Sequence, residues 1–251
     1  MLLAVDVGNT NITLGVFDKE RILRRYSIPT YRRTYRRGLL PILRSYPIEN
    51  AIISSVVPYA TAILKKELFR QLGKKPLVLG LNIKVPITNR YRKRRQVGQD
   101  RLVNAYAVCE FYGPPAVVVD FGTAVTFDVV SRRGEYLGGM ILPGLRMSLA
   151  ALAEKTALLP DIKLKRPKEF IGRDTAESIL SGVVHGFAAM TRDMIRSIRG
   201  AIGNDAIAVF TGGDSALLAQ YIKEAKRLDA DLTIKGLNLI YSRKYLTRGS
   251  V

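Results

Sequence analysis

An apolar run ending in aspartate, with glycine two places later and a second β-rich run beyond it, occurs twice in this chain. Ala4-Val5-Asp6-Val7-Gly8-Asn9 returns as Val118-Val119-Asp120-Phe121-Gly122-Thr123, an offset of 114 residues. In the first copy Leu2 to Val5 and Ile12 to Phe17 flank a Gly-Asn turn, the signature of a β-hairpin, and Arg21 to Ile28 supplies a third strand. In the second copy Gly134 to Ile141 takes the third-strand place, ahead of Pro143-Gly144. Six matched positions are a weak signal alone. The shared context of strand, turn, strand, strand and helix makes the pattern a duplicated α/β domain. Gly113-Pro114-Pro115 breaks the intervening helical pattern, so the expected domains are residues 1–113 and 114–251.

Between the two copies the spacing predicts a basic helix over Tyr31 to Ser45, broken or kinked at Pro41. A buried strand is expected at Ala51 to Val57 and a helix opened by Pro58 through Gln71. A short strand at Pro76 to Leu81 and a loop over Val85 to Val97 follow. Asp100 to Tyr112 reads as a helix with Leu102, Ala105, Val108 and Cys109 on one apolar face.

Composition narrows the function classes. The 251 residues carry 40 Lys and Arg against 21 Asp and Glu, a net +19. The single cysteine, Cys109, excludes an intrachain disulfide and fits a reducing compartment. The single histidine, His185, excludes multi-histidine zinc sites, and its apolar helical surroundings predict a packing role. No apolar run reaches membrane-spanning length, and Met1 to Asp6 lacks a basic leader pattern. The expectation is a soluble, cytoplasmic protein with no membrane partner. Arginines crowd Arg21 to Arg44, with Tyr26, Tyr31 and Tyr35 among them; Arg92 to Arg95 with Arg101 and Lys163 to Lys168 form further basic clusters. No recognisable nucleic-acid module accompanies them, so a solvated face with some steering of anionic substrates is the expectation.

The two turns can carry chemistry. Backbone N–H groups in a glycine turn make a nest for phosphate oxygens, and an aspartate on the preceding strand can hold Mg²⁺ directly or through water. Asn9, Thr10, Asn11 and Thr123 add neutral donors. Two such turns facing each other across a cleft would hold a nucleoside triphosphate and its metal; ordinary Asn-Gly hairpin turns are the alternative for either one alone. No Walker A sequence and no dinucleotide-type glycine spacing occurs. Asp100-Arg101 could be a general base beside a carboxylate-binding fork, or a helix-start acid beside a surface arginine. Thr211-Gly212-Gly213-Asp214 fits a capped strand-to-helix turn and close approach to an adenosine equally well.

Several segments in order carry a resemblance. They are Asp6 to Asn11, Gly98-Gln99-Asp100-Arg101, Asp120 to Ala124, Gly138 to Gly144, Thr156 to Pro160, Thr175 to Gly182 and Thr211 to Asp214. Together they resemble the type III pantothenate kinases, a branch of the superfamily of acetate and sugar kinases, heat-shock chaperone ATPases and actin. The resemblance implies an α/β fold of two ribonuclease-H-like domains with a cleft between them. It implies ATP-dependent phosphorylation of pantothenate to 4′-phosphopantothenate, the first step of coenzyme A biosynthesis, by a homodimer. It places ATP against Asp6, Val7, Gly8, Asn9, Thr10, Asn11, Ile12, Thr13 and Thr123. Pantothenate would lie against Tyr91, Gly98, Gln99, Asp100, Arg101 and Thr175, with Asp100 the proton acceptor. Asp120 would bind a monovalent cation, K⁺ or NH₄⁺, and Asp6 would hold ATP's Mg²⁺ through water. Lys93-Arg94 stands where the family has an Asn-Pro step. A kinase for another small hydroxylated substrate and a nucleic-acid-binding regulator on the same fold are the alternatives.

Overall fold

The computed structural model describes residues 1–30, 35–224 and 227–246. Its elements form two compact units. The first holds Met1–Thr88, Arg92–Ala107 and the chain from Leu232 on; the second holds Asn89–Tyr91 and Val108–Asp231. This partition differs from a single cut at 113/114: the boundary falls inside a helix, and the C-terminal helix belongs with the N-terminal strands.

The first unit is a five-stranded sheet built from β1 (Leu2–Val7), β2 (Asn11–Asp18), β3 (Arg21–Pro29), β4 (Asn50–Ser55) and β5 (Leu77–Val78) in the order β3-β2-β1-β4-β5. β1 pairs antiparallel with β2 and parallel with β4. Alternation along β1 sends Leu3, Val5 and Val7 to one face and Leu2 and Ala4 to the other. The first face is covered by α1 (Arg36–Ser45) through Leu39 and Ile42 and by α2 (Pro58–Leu72) through Ala60, Leu64 and Leu68. The second face is covered by α3 (Gln99–Tyr112) through Val103 and Tyr106 and by α7 (Leu232–Leu246) through Ile234, Leu237 and Ile240.

The second unit repeats the pattern. β6 (Ala116–Phe121), β7 (Ala124–Val130), β8 (Tyr136–Pro143) and β9 (Ile207–Thr211) stand in the order β8-β7-β6-β9, the same hairpin, third strand and parallel neighbour. α4 (Leu145–Lys155) and the 28-residue α5 (Thr175–Ile202) cover the face that carries Val117, Val119 and Phe121. A short α6 (Ser215–Ala219) follows β9. The repeat seen in sequence is therefore a repeat of topology, and the fold is α/β with two ribonuclease-H-like domains.

Local departures have physical causes. The start of the expected helix at Tyr31 lies outside the described residues, as do Arg32 and Arg33. From Arg36 on the helix runs through the exposed Pro41 to Ser45 without breaking. β4 ends at Ser55 because Val57 caps the helix that Pro58 opens. The strand expected over Pro76 to Leu81 contracts to two residues. Within the loop after Tyr91, Arg94–Gln96 forms a 3₁₀ turn. Leu102, Ala105 and Val108 of α3 are buried as expected, and burial extends to every residue from Arg101 to Val108. His185 packs edge-on against Phe170 and Tyr221, in keeping with a packing role. No described helix is long and apolar enough to cross a membrane.

Candidate active site

In the first unit the turn after β1 is fastened from within. Gly8 N–H donates to Asn11 O at 3.0 Å, and Thr30 N–H donates to Thr10 O at 3.0 Å. The Thr30 hydroxyl donates to Gly8 O at 2.7 Å. Thr30 is fully buried, and its own carbonyl accepts from the hydroxyls of Tyr35 and Tyr59. Thr30 was missed in sequence because it lies 20 residues beyond the turn it clamps, at the end of β3. Asn9, Thr10 and Asn11 are exposed on the fastened turn. Val7 and Ile12 are core residues, so they can meet a ligand only through main-chain atoms.

Asp6 stands opposite Thr13 on β2 and Ser54 on β4, half-buried. It shares its parity with Leu2 and Ala4, which puts its side chain on the sheet face covered by α3. Asp100 lies in the first turn of α3, so both carboxylates come from one side of this unit. Arg101 N–H donates to Asp100 Oδ1 at 2.9 Å. Burial pushes the Asp100 carboxyl above its ordinary value, against the opposing pull of the Arg101 N–H and guanidinium. Gly98 makes the space for it: a Cβ there would stand 2.4 Å from Asp100 Oδ1. The reading of Arg101 as a surface arginine is excluded, since it is buried to 7% exposure. Gln99 and Gly98 are half-buried beside it.

In the second unit Gly122 N–H donates to Ala124 O at 3.2 Å, closing a turn like that at Gly8. Asp120 stands opposite Thr126 on β7 and Thr211 on β9, as Asp6 does opposite its own neighbours. Gly212, at φ +91°, packs so closely that a Cβ would fall 2.4 Å from Asp120 Oδ1 and 2.6 Å from the Phe121 backbone. Thr211 to Asp214 thus buttresses the Asp120 turn. Asp214 does not cap α6 with its side chain; its Oδ1 accepts from Arg146 Nη2 at 2.8 Å and Nε at 3.2 Å.

Tyr91 also belongs to this unit. Its ring stacks on that of Tyr136 at 6.3 Å between centroids. Arg90 N–H donates to Tyr136 O at 2.8 Å, and the Arg90 guanidinium grips Glu135 Oε1 at 2.6 and 3.0 Å. Arg90 holds the Glu135 carboxyl below its ordinary value, mainly by that hydrogen bond. Tyr136 is fully buried and donates its hydroxyl to the equally buried Asp128 at 3.1 Å, where Thr126 donates at 3.1 Å as well. Thr175 is exposed at the start of α5, where Asp174 accepts from Glu177 N–H at 2.8 Å. Thr123 is exposed in the turn between β6 and β7.

No three His, Cys, Asp or Glu side chains gather to hold a metal among the described residues. A donor set with one carboxylate fits a singly charged ion at Asp120 or an outer-sphere Mg²⁺ at Asp6, and does not fit a multi-carboxylate divalent cage. Each aspartate also has hydroxyl residues opposite it across the sheet.

Residues 2–197 match the family model for type III pantothenate kinase. A type III pantothenate kinase of Moorella thermoacetica is 39% identical over 252 residues, covering 97% of this chain and 99% of that one. One from Geobacter sulfurreducens is 38% identical over the same shares. Among solved structures, the activator of 2-hydroxyisocaproyl-CoA dehydratase from Clostridium difficile with bound ADPNP aligns at TM-score 0.58 and 11% identity, covering 100% of this chain and 97% of that one. At that identity the likeness shows the fold alone. With the family's model matching residues 2–197 of the chain and relatives identical at more than a third of positions over nearly the whole of both chains, the chain belongs to the type III pantothenate kinase family.

Proposed function

We propose that this protein transfers the γ-phosphoryl group of ATP to the primary hydroxyl of pantothenate, giving 4′-phosphopantothenate at the entry to coenzyme A biosynthesis. The observation that carries the reading is the pair of Asp-x-Gly hairpins, alike in strand order and each closed by its glycine N–H donating to the carbonyl of the next strand's first residue, within a chain of this family.

Asp100 takes the proton of the substrate hydroxyl as the oxygen attacks the γ-phosphorus and the bond to the bridging oxygen of ADP breaks. Its pKa, raised by burial, suits a base working near neutral pH better than an exposed carboxylate would. Arg101 holds the pantothenate carboxylate, a task its planar fork does better than lysine. The family likeness gives Tyr91, Gly98, Gln99 and Thr175 as further pantothenate contacts. Asp6, Gly8 to Asn11 and Thr13, with main-chain atoms of Val7 and Ile12, line the phosphates, and Thr123 meets the nucleotide. Asp120 would hold K⁺ or NH₄⁺, and Asp6 would hold Mg²⁺ through water; these ions neutralise phosphate charge, the main demand of phosphoryl transfer. The enzyme acts in the cytoplasm as a homodimer.

A coupled assay with ATP, Mg²⁺ and pantothenate, run with and without K⁺ or NH₄⁺, tests this. Turnover that rises with the monovalent ion is expected; no turnover with either ion present refutes the reading. A panel of sugars and hydroxy acids separates pantothenate from other acceptors.

A further inference from the structure

The net charge of +19 is not spread over the molecule. The first unit has 24 Lys and Arg against 6 Asp and Glu, a net +18; the second has 16 against 15, a net +1. Two units of one fold, in one chain, differ almost completely in charge. Protein solubility alone gives no reason for such a division, and an anionic substrate of low charge does not require it either.

Within the first unit one share of the charge lies on the layer α1 and α2 form over the sheet. These helices hold six Lys and Arg and one acid, Glu67. Glu67 is already neutralised: Arg70 hydrogen-bonds it, Arg36 stands 3.7 Å away, and its carboxyl is held below its ordinary value, chiefly by Arg70. Lys65 and Lys66, with Lys74 and Lys75 just beyond the helix, are exposed and form no ion pair among the described residues. Two aromatic rings lie among these cations, Tyr59 at 54% exposure and Phe69 at 48%. Of the tyrosines singled out in the sequence, Tyr31 lies outside the described residues and Tyr35 is buried.

We propose that the outer face of α1 and α2 docks single-stranded nucleic acid. Free cations neutralise successive phosphates while flat, exposed rings offer platforms on which bases stack. An anionic bilayer suits this face less well. A helix that lies in a membrane surface buries a continuous apolar stripe there, whereas Leu39, Ile42, Ala60, Leu64 and Leu68 are spent on the sheet and the exposed large hydrophobics of α1 and α2 are Tyr59, Ile63 and Phe69. Double-stranded DNA would use the charge but leave Tyr59 and Phe69 without a role.

The test is fluorescence anisotropy with a labelled mixed-sequence single-stranded RNA of about 16 nucleotides, the upper range of a single-strand site, titrated across salt. The parent should bind with a linear fall of log K against log salt. A variant with Lys65, Lys66, Lys74 and Lys75 changed to Gln should bind at least about tenfold more weakly, its slope reduced by about 0.7 for each phosphate no longer neutralised. Y59A/F69A should weaken binding while leaving the slope unchanged. Changing Lys155, Lys163, Arg166 and Lys168 to Gln removes the same charge from the second unit and should leave affinity nearly intact. Circular dichroism melts and pantothenate kinase turnover of the four-lysine variant should match the parent, which separates loss of docking from loss of fold. No binding at low salt refutes the proposal. So does equal weakening by the two charge variants, or tighter binding to phosphatidylserine vesicles or duplex DNA of the same length than to the single strand.

Discussion

Gly98→Ala puts the proposed catalytic geometry at risk without touching a catalytic group. The added Cβ would sit 2.4 Å from Asp100 Oδ1, whereas ordinary contact begins at 3.4 Å. The carboxylate, the free end of a short side chain, must retreat by about 1 Å, a displacement that costs a positioned catalytic group on the order of 10²-fold. Nothing else is crowded: the next neighbour, Val56 Cγ1, lies at 3.5 Å. The melting temperature should therefore stay level or rise slightly, since alanine narrows the unfolded ensemble by about 0.4–1 kcal/mol. In the coupled assay kcat should fall about 10²-fold. A double variant with Asp100→Asn should be no slower than D100N alone, because both changes remove one function. A G98A enzyme within about threefold of the parent, far short of that expected loss, would refute the reasoning, as would fully multiplicative losses in the double variant.

Asp100→Asn should lower kcat by roughly 10²-fold or more with little change in ATP affinity. Because the folded-state pKa of Asp100 is raised, its ionisation costs stability as pH climbs from the ordinary carboxylate value through the raised one. D100N should accordingly melt higher than the parent at neutral pH, with the gap closing as pH falls; a constant gap contradicts this. Thr30→Val removes the hydroxyl that ties down Gly8 and should raise the KM for ATP while sparing that for pantothenate, at about 1 kcal/mol of stability measured by urea unfolding. Tyr136→Phe leaves the buried Asp128 short of one donor, costing about 1–3 kcal/mol, and should raise the KM for pantothenate through Tyr91. Cys109, whose thiol burial and then the neighbouring Glu110 push up to about 11, should alkylate with iodoacetamide at neutral pH far more slowly than the denatured chain, as read by mass spectrometry.

The hairpins were legible because strand alternation and turn residues are local signals. Asp6, Asp120 and their glycine turns could be found from a dozen residues each, and the strand order repeated as the motif did. Interactions made across sequence distance left no such trace. Thr30 reaches back to Gly8, and Arg146 grips Asp214 across 68 residues. α3 showed an apolar face by periodicity, yet every residue from Arg101 to Val108 is buried. The concentration of charge was hidden for the same reason: basic clusters were visible along the chain, but not that α7, with no acid of its own, returns to join them.

That return also orders events during synthesis. Ile234, Leu237 and Ile240 close the core over Leu2, Ala4 and Ile52, so the unit begun first at the ribosome has one wall incomplete until α7 emerges. The second unit is contiguous apart from Asn89–Tyr91 and has all of its strands and helices in hand before α7 exists. The usual vectorial sequence, in which the N-terminal domain matures first, is thereby inverted. The leading strands wait with one apolar surface only partly covered, by α3, until α7 has emerged.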